Sequence, residues 1–245
     1  MSIVARHDLH FLVHRLSRGF PLSDMEASAI SHLPIMLKHV EAGADILREG
    51  DPASEACIVL EGLVCRYEIV AEGGRQIQAY HIPGDIPDLA GLHLQTLEHN
   101  ICALRPSIVA MVSHRALHIL IAEHPQIGAR LWRETAIDAA VAHAWVSNIG
   151  RRTARARMAH FLCEMLARYQ ALDLASDTIP CIITQLELGD SQGMSVVHVN
   201  RVLKSLKRAG LIEMRGKNIR IRDQVALQFA GDFDPSYLHL SEAVH

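Results

Sequence analysis

Two short helices joined by a tight turn are encoded near the C-terminal end of the chain. Thr184 and Glu187 have the spacing of a capping box, which predicts a helix that begins at Gln185. Gly193 then supplies the turn residue, and Ser195 is placed to cap a second helix. This succession predicts a helix-turn-helix, although helical hairpins of other kinds share part of the pattern.

A basic hairpin follows directly. Gly210 is expected to end the second helix, and two strand-like runs, 211–214 and 218–222, come after it. The turn between these runs contains Arg215 and Lys217, whose charges could contact phosphates. Two capped helices followed by a hairpin predict a winged helix-turn-helix, and the combination is far more specific than either part.

The second helix has one apolar and one basic face. Its inward positions have helical spacing and are Val199, Val202, Leu203 and Leu206. Its outward positions are His198, Asn200, Arg201, Lys204 and Arg208. Arginine can pair with guanine and asparagine with adenine in the major groove, and a valine can contact a thymine methyl group. The predicted DNA-binding residues are Thr184, Gln185, Ser195, Val196, Val197, His198, Asn200, Arg201, Lys204, Arg215 and Lys217.

The distribution of charge along the chain also favours a nucleic acid as its partner. The whole chain has a formal net charge of −3. Within residues 151–222, however, 13 Lys and Arg side chains stand against 6 Asp and Glu, a local excess of +7. A basic module behind an acidic one suggests a polyanionic ligand for the back half, and a solvated charged face is the alternative.

The front half has the pattern of a β-rich domain. After two N-terminal helices, in 3–18 and from Pro21 to about Ile30 with Ser23 as N-cap, short strand-like runs alternate with turn residues from His39 to about Val112. Such spacing predicts a sandwich or barrel, with Gly73-Gly74 as a hairpin turn.

A long helix is predicted between the two halves, from Pro125 to about Asn148, after a short one over 115–122. Its 3-4 stripe contains Ile127, Leu131, Glu134, Asp138, Val141, Trp145 and Asn148. The helix could associate with a second copy or form the core of one domain, and both remain open. We expect a sensor-like domain over 1–124, a dimerisation helix over 125–149, and a DNA-binding domain with a tail over 150–245.

The chain resembles the Crp/Fnr family of bacterial transcription regulators over almost its whole length. The resemblance lies in Gly43–Asp51, Val59–Gly62, Pro83–Asp85 and Thr184–Ile212. It implies an α+β fold with an N-terminal β-roll (a double-stranded β-helix of the cyclic-nucleotide-binding type), a long dimerisation helix and a C-terminal winged helix-turn-helix. It also implies a homodimer that reads an inverted repeat in double-stranded DNA. RNA polymerase is a further expected partner.

The predicted effector pocket departs from the family pattern. Cyclic-nucleotide binders of this fold have a Gly-Glu pair and an Arg-Ser/Thr pair, and these align with Asp88-Leu89 and His99-Asn100. Without the arginine a phosphate lacks its bidentate partner, so we expect an unidentified small-molecule effector other than cAMP. The cysteine cluster of the iron–sulfur members is also missing from the sequence, and no cofactor is predicted.

The competing predictions are a cupin-like metal-dependent enzyme and a stand-alone ligand-binding protein. A cupin would need a His-x-His pair in the barrel, and the barrel segment has none. The pairs His10/His14 and His114/His118 have a spacing that could place two imidazoles together, but we predict no metal site. The sequence shows no signal peptide or membrane-spanning run, so we expect a cytoplasmic protein. The resemblance to transcription regulators implies a protein that is not an enzyme.

Overall fold

The computed structural model describes residues 9–180, 183–216 and 218–240. These residues form two compact units. The first contains the described residues up to Tyr67 together with Ala79–Ala136. The second contains Glu68–Gln78 and Ile137–Leu240. The long helix is therefore divided between the units, and the three-part division expected from the sequence stays a prediction.

The elements up to the long helix confirm the predicted β-rich front half. They are α1 (His10–Leu16), α2 (Asp24–Ser31), β1 (Ile35–Val40), β2 (Asp45–Leu47), β3 (Glu55–Glu61), β4 (Val64–Ile69), β5 (Arg75–His81), a 3-10 turn (Leu89–His93), β6 (Asn100–Ala103), β7 (Ser107–Ser113), α3 (His114–Glu123) and α4 (Pro125–Arg151). One sheet has the strand order β1-β7-β3 and the other β2-β6-β4-β5.

Two apolar clusters hold the first unit together. Side chains from both sheets meet in one cluster, which includes Val59, Val109 and Ile101. The other face of the three-stranded sheet packs against helices, and Ile58 and Leu120 belong to this second cluster. Because the two faces of a strand alternate, the three-stranded sheet is buried on both sides. This layering confirms the predicted β-roll.

The local turn and cap signals of the front half are confirmed. Ser23 caps α2 in a full capping box with Glu26. Val70 and Gly74 close the predicted hairpin turn through a backbone hydrogen bond of 2.9 Å, and Gly73 has a φ of 81°. Strand β1 begins four residues before the predicted start of the β-rich region. The part of the predicted first helix before residue 9 lies outside the described residues.

The second unit is mainly helical. It contains the end of α4, then α5 (Ala154–Gln170), α6 (Gln185–Gln192), α7 (Val196–Arg208), β8 (Ile212–Arg215), β9 (Asn218–Ile221), α8 (Gln224–Gly231) and a 3-10 turn (Pro235–Leu238). The amphipathic helix α5 packs against both α7 and α8. Its apolar side chains, Met158, Phe161, Leu162 and Met165 among them, are buried.

The stripe of α4 that the sequence singled out faces the interior of its own chain. Ile127, Leu131, Glu134, Trp145 and Asn148 are buried. A different 3-4 stripe is exposed: Ala129, Trp132 and Ala136 in the first unit, and Ala139, His143 and Val146 in the second. Within this second stripe, Trp132 is 72 % and Val146 71 % exposed.

Within the described part of the chain, no helix combines the length and apolar character needed to cross a bilayer.

Candidate nucleic-acid interface

The start of α6 is fixed by the predicted capping box. The Thr184 hydroxyl accepts a hydrogen bond from the Glu187 backbone N–H at 3.2 Å, and the Glu187 carboxylate accepts one from the Thr184 N–H at 2.7 Å. Both bonds satisfy backbone donors that the first helical turn leaves unpaired. Thr184 is exposed and Gln185 half-buried, so the N-terminus of α6 lies at the surface.

The turn between α6 and α7 depends on two glycines. Gly193 ends α6 in the left-handed conformation, with φ 61° and ψ 46°, as predicted. Gly189 was missed by the sequence reasoning. A Cβ atom at Gly189 would lie 2.5 Å from the carbonyl oxygen of Met194. Arg157 of α5 adds a hydrogen bond to the carbonyl of Gln192, which anchors the turn to the rest of the unit.

Helix α7 presents the predicted basic face outward. Ser195 caps it, its hydroxyl accepting from the His198 N–H at 3.3 Å. The apolar positions Val199, Val202, Leu203 and Leu206 are buried. On the other side Arg201, Lys204 and Arg208 are exposed, whereas His198 and Asn200 are half-buried. Val196 and Val197 are exposed just after the cap, and Val197 is 69 % exposed.

Gln185 and Asn200 connect the two helices on the outer side. The Asn200 side-chain amide donates to the Gln185 side-chain oxygen at 3.2 Å. This contact orients the Asn200 amide, with its nitrogen toward Gln185. Both residues were predicted to contact DNA, and the structure brings them together at one end of the α7 face.

The hairpin β8–β9 forms the predicted wing. Its strands pair from Ile212↔Ile221 to Arg215↔Asn218, and Arg215 is exposed at the tip. Lys217 lies outside the described residues. Arg220 is held by Asp177 at 2.7 Å, so its charge is engaged within the protein.

A further contact, between α6 and residues at the β4–β5 turn, was not predicted from the sequence. Within the second unit, the guanidinium of Arg75 forms an ion pair with Asp190 at 2.8 Å. The neighbouring Gln76 amide donates to the carbonyl of Ser191 at 3.4 Å. The partners are 115 residues apart, and no local pattern indicates such a pairing. These bonds link the β4–β5 turn to the end of α6.

A buried polar network supports the helices behind the interface. Glu164 of α5 is fully buried and accepts from the Trp145 indole at 2.9 Å and the Tyr237 hydroxyl at 2.8 Å. Arg168 lies 3.6 Å from the other carboxylate oxygen. His160 contacts the Tyr237 hydroxyl at 3.0 Å. Burial, with the nearby Glu164 charge, raises the pKa of Tyr237, so its hydroxyl stays protonated as a donor.

The four predicted effector residues differ in their burial and in the groups that they contact. Asp88 is buried and its carboxylate accepts from the Cys57 N–H at 3.0 Å. Burial raises the pKa of Asp88 to about 7, against the opposing effects of the Cys57 hydrogen bond and the Arg66 charge. Leu89 instead packs among the helices of the first unit. Asn100 accepts from the Glu49 N–H at 3.2 Å. His99 is half-buried, and the pocket itself stays a prediction.

The structure places each of the two histidine pairs on a single helix. His10 and His14 lie on α1, and His114 and His118 on α3. Burial, and then the charge of His118, lowers the pKa of His114. Among residues 9–180, 183–216 and 218–240, no group of three or more His, Cys, Asp or Glu side chains is arranged to hold a metal ion.

Two domain families match the chain. The Crp-like helix-turn-helix domain matches residues 156–229, and the cyclic nucleotide-binding domain matches residues 37–124. The first range runs from the first turn of α5 to within α8, and the second from within β1 to just after α3.

Curated relatives and a solved structure agree with these matches. The transcriptional activator protein anr of Pseudomonas aeruginosa is 26% identical over 188 residues, 77% of each chain. The nitrogen fixation regulation protein FixK of Bradyrhizobium diazoefficiens is 28% identical over 192 residues, 78% of this chain and 79% of that protein. The structure of FixK2 from Bradyrhizobium japonicum has a TM-score of 0.73 and 26% identity, over 81% of this chain and 98% of that one. With its β-roll, long helix and outward basic α7, the chain belongs to the Crp/Fnr family of transcription regulators.

Proposed function

We propose that the chain binds an inverted repeat in double-stranded DNA as a homodimer and inserts α7 of each subunit into the major groove. The observation that carries this proposal is the orientation of α7. Its apolar side is buried and Arg201, Lys204 and Arg208 are exposed on the other. The N-terminal half of α7 has an exposed Arg201 and a half-buried Asn200, and these side chains have the donors and acceptors that base edges require.

The exposed stripe of α4 supports the dimer. The stripe combines three alanines with Trp132, His143 and Val146, so the surface is mainly apolar, and its alanine positions let a second helix approach closely. We propose that the stripe binds the same stripe of α4 in a second copy of the chain. A two-fold symmetric pairing would use the same residues on both subunits. The proposed dimer therefore uses this stripe instead of the one singled out by the sequence.

The predicted contacts sort into two classes. Val196, Val197, His198, Asn200 and Arg201 are proposed to face bases, because they occupy the N-terminal half of α7. Thr184, Gln185, Ser195, Lys204, Arg215 and Lys217 are proposed to contact the DNA backbone or to orient residues that do.

Regulation and location are part of the same proposal. We propose an unidentified effector near Asp88 and His99, and RNA polymerase as a partner at promoters. The site of action is the cytoplasm, where the target DNA of a bacterial regulator lies. The cupin-like enzyme is not the family that the chain matches, and the matched relatives are regulators.

Selection from a randomised duplex library tests the proposal. The full-length protein should enrich a two-fold symmetric site, and the affinity for that site should fall steeply as salt rises. Fluorescence anisotropy on the selected site and on a scrambled duplex gives the specificity ratio. Enrichment of no symmetric site, or equal affinity for both duplexes at physiological salt, would overturn the proposal.

A further inference from the structure

Two cysteines of the first unit face each other across neighbouring strands. Cys65 in β4 lies directly opposite Cys102 in β6, the two central strands of the four-stranded sheet. Their sulfur atoms are 3.4 Å apart. Both side chains are buried, with 0% and 2% of their surface exposed. The sulfurs are therefore in van der Waals contact and shielded from bulk solvent.

The backbone geometry suits a bond between these sulfurs. Directly opposed residues in an antiparallel pair have Cα atoms about 4.5 or 5.5 Å apart, according to the type of pair. Both values fall within the roughly 4.4–6.8 Å that disulfides span. The Sγ atoms would need to approach by only ~1.4 Å to reach the S–S bond length. Small rotations of two side chains can supply this without a change of strand register.

The pair lies on the outer face of its sheet. The adjacent residues Val64, Ile101 and Ala103 point into the cluster between the two sheets. Since side chains alternate along a strand, Cys65 and Cys102 point to the opposite face. They therefore do not belong to the core between the sheets.

Tyr67 stands beside the sulfurs on that outer face. Its hydroxyl donates to Asp45 at 2.8 Å, and both residues are half-buried. The pKa of Tyr67 is raised to about 12, first by burial, then by Asp45, and to a smaller extent by negative charge on either sulfur. The tyrosine is thus close to both thiols. A partly exposed side chain at the surface of a sheet is the kind of cover that local motion can displace.

We propose that Cys65 and Cys102 form a redox site that a hydroperoxide converts into a cross-strand disulfide. The thiolate of one cysteine attacks the peroxide oxygen, the O–O bond breaks, and a sulfenic acid and water (or an alcohol) result. The second thiol then attacks the sulfenic sulfur, the S–S bond forms, and the S–O bond breaks with release of water. The two sulfurs together lose two electrons, which the peroxide gains, and the two thiol protons leave in the products.

The two other described cysteines differ from the Cys65–Cys102 pair in their surroundings. Cys57 lies in the core between the sheets, where burial raises the pKa of its thiol. Cys163 lies on α5 in the second unit, and burial raises the pKa of its thiol to about 12. Across the strands Cys57 lies opposite Met111, and a thioether cannot form a disulfide. A buried thiol with no cysteine beside it among the described residues can be oxidised only as a single site. Cys163 therefore serves as a matched buried control.

Peptide mapping of the full-length protein tests the proposal. The purified, reduced protein is titrated with hydrogen peroxide, the remaining thiols are alkylated, and the protein is digested without reductant. The expected product is one linked pair of peptides carrying Cys65 and Cys102, lighter by two hydrogen atoms and released by dithiothreitol. Recovery of both cysteines as alkylated thiols over the whole titration, or as separate sulfinic acids, would overturn the proposal.

Variants give a second readout that does not depend on DNA binding. Cys65→Ala and Cys102→Ala should each abolish the linked pair, and Cys163→Ala should leave its yield unchanged. The wild-type map remains decisive if either strand variant fails to fold. Because the redox site is independent of the proposed function, oxidation can be scored even if no symmetric DNA site is found.

Discussion

Arg201 is the side chain whose role in recognition can be measured most sharply. It is exposed on α7, one residue after Asn200, which Gln185 holds in place. If Arg201 pairs with a guanine, Arg201→Ala should cost about 1–3 kcal/mol of binding at one base position and little elsewhere. Anisotropy titrations over a set of single-base variants of the selected site measure this profile. Arg115→Ala, at an exposed position on α3, is the matched control, and uniform weakening on all sequences would assign Arg201 to phosphate contact.

Asp88 makes the stability of the first unit depend on pH. Its pKa is raised from 3.8 to about 7, so between these values the folded state holds more protons than the unfolded one. The free energy of unfolding must therefore fall as pH rises through this window. Asp88→Asn keeps an acceptor for the Cys57 N–H and removes the titration. Between about pH 5.5 and 7.5 the wild type should lose about 2 kcal/mol relative to this variant.

Urea unfolding at the two pH values measures this difference. Asp173→Asn is the control, because Asp173 is exposed and asparagine suits its positive φ of 57°. A constant difference between wild type and Asp88→Asn across the range would contradict the raised pKa.

At the scale of elements, the α6–α7 turn depends on the close approach at Gly189. Gly189→Ala places a Cβ 2.5 Å from the Met194 carbonyl, so the helices must separate, at a cost of about 1–3 kcal/mol. DNA affinity should fall with it, because α7 is displaced. Gly150→Ala is the control, since no atom outside its own helix lies within 4 Å of its added Cβ, and alanine should stabilise the helix by roughly 0.5–1 kcal/mol. Thermal unfolding and anisotropy of both variants test this, and equal effects would contradict it.

The elements also show why some features were predictable and others were not. The caps at Thr184 and Ser195 and the turn at Gly193 act within a few residues, so their local signals suffice. The buried face of α4 is different, because two stripes have helical spacing and long-range contacts decide between them. Glu134 is buried and forms an ion pair with Arg15, which is 119 residues away in the sequence. The Arg15 Nε and Glu134 Oε2 atoms are 2.6 Å apart. No sequence period indicates that pairing.

At the scale of the whole molecule, the proposed function requires two copies of α7 to reach one duplex together. Each unit has buried apolar residues of its own, and each contains part of the exposed stripe of α4. A dimer formed through α4 presents two identical recognition helices, so the spacing of the two half-sites is fixed by the protein. Affinity should then depend on the distance between half-sites as strongly as on their sequence.

Anisotropy titrations against duplexes of altered spacing test this requirement most directly. Inserting about 5 bp, roughly half a helical turn, between the selected half-sites rotates one half-site to the opposite side of the DNA. We predict two chains bound per original duplex, and a fall in affinity on the lengthened duplex to that of an isolated half-site. Equal affinity for both spacings, or one chain per duplex on the original site, would contradict the account.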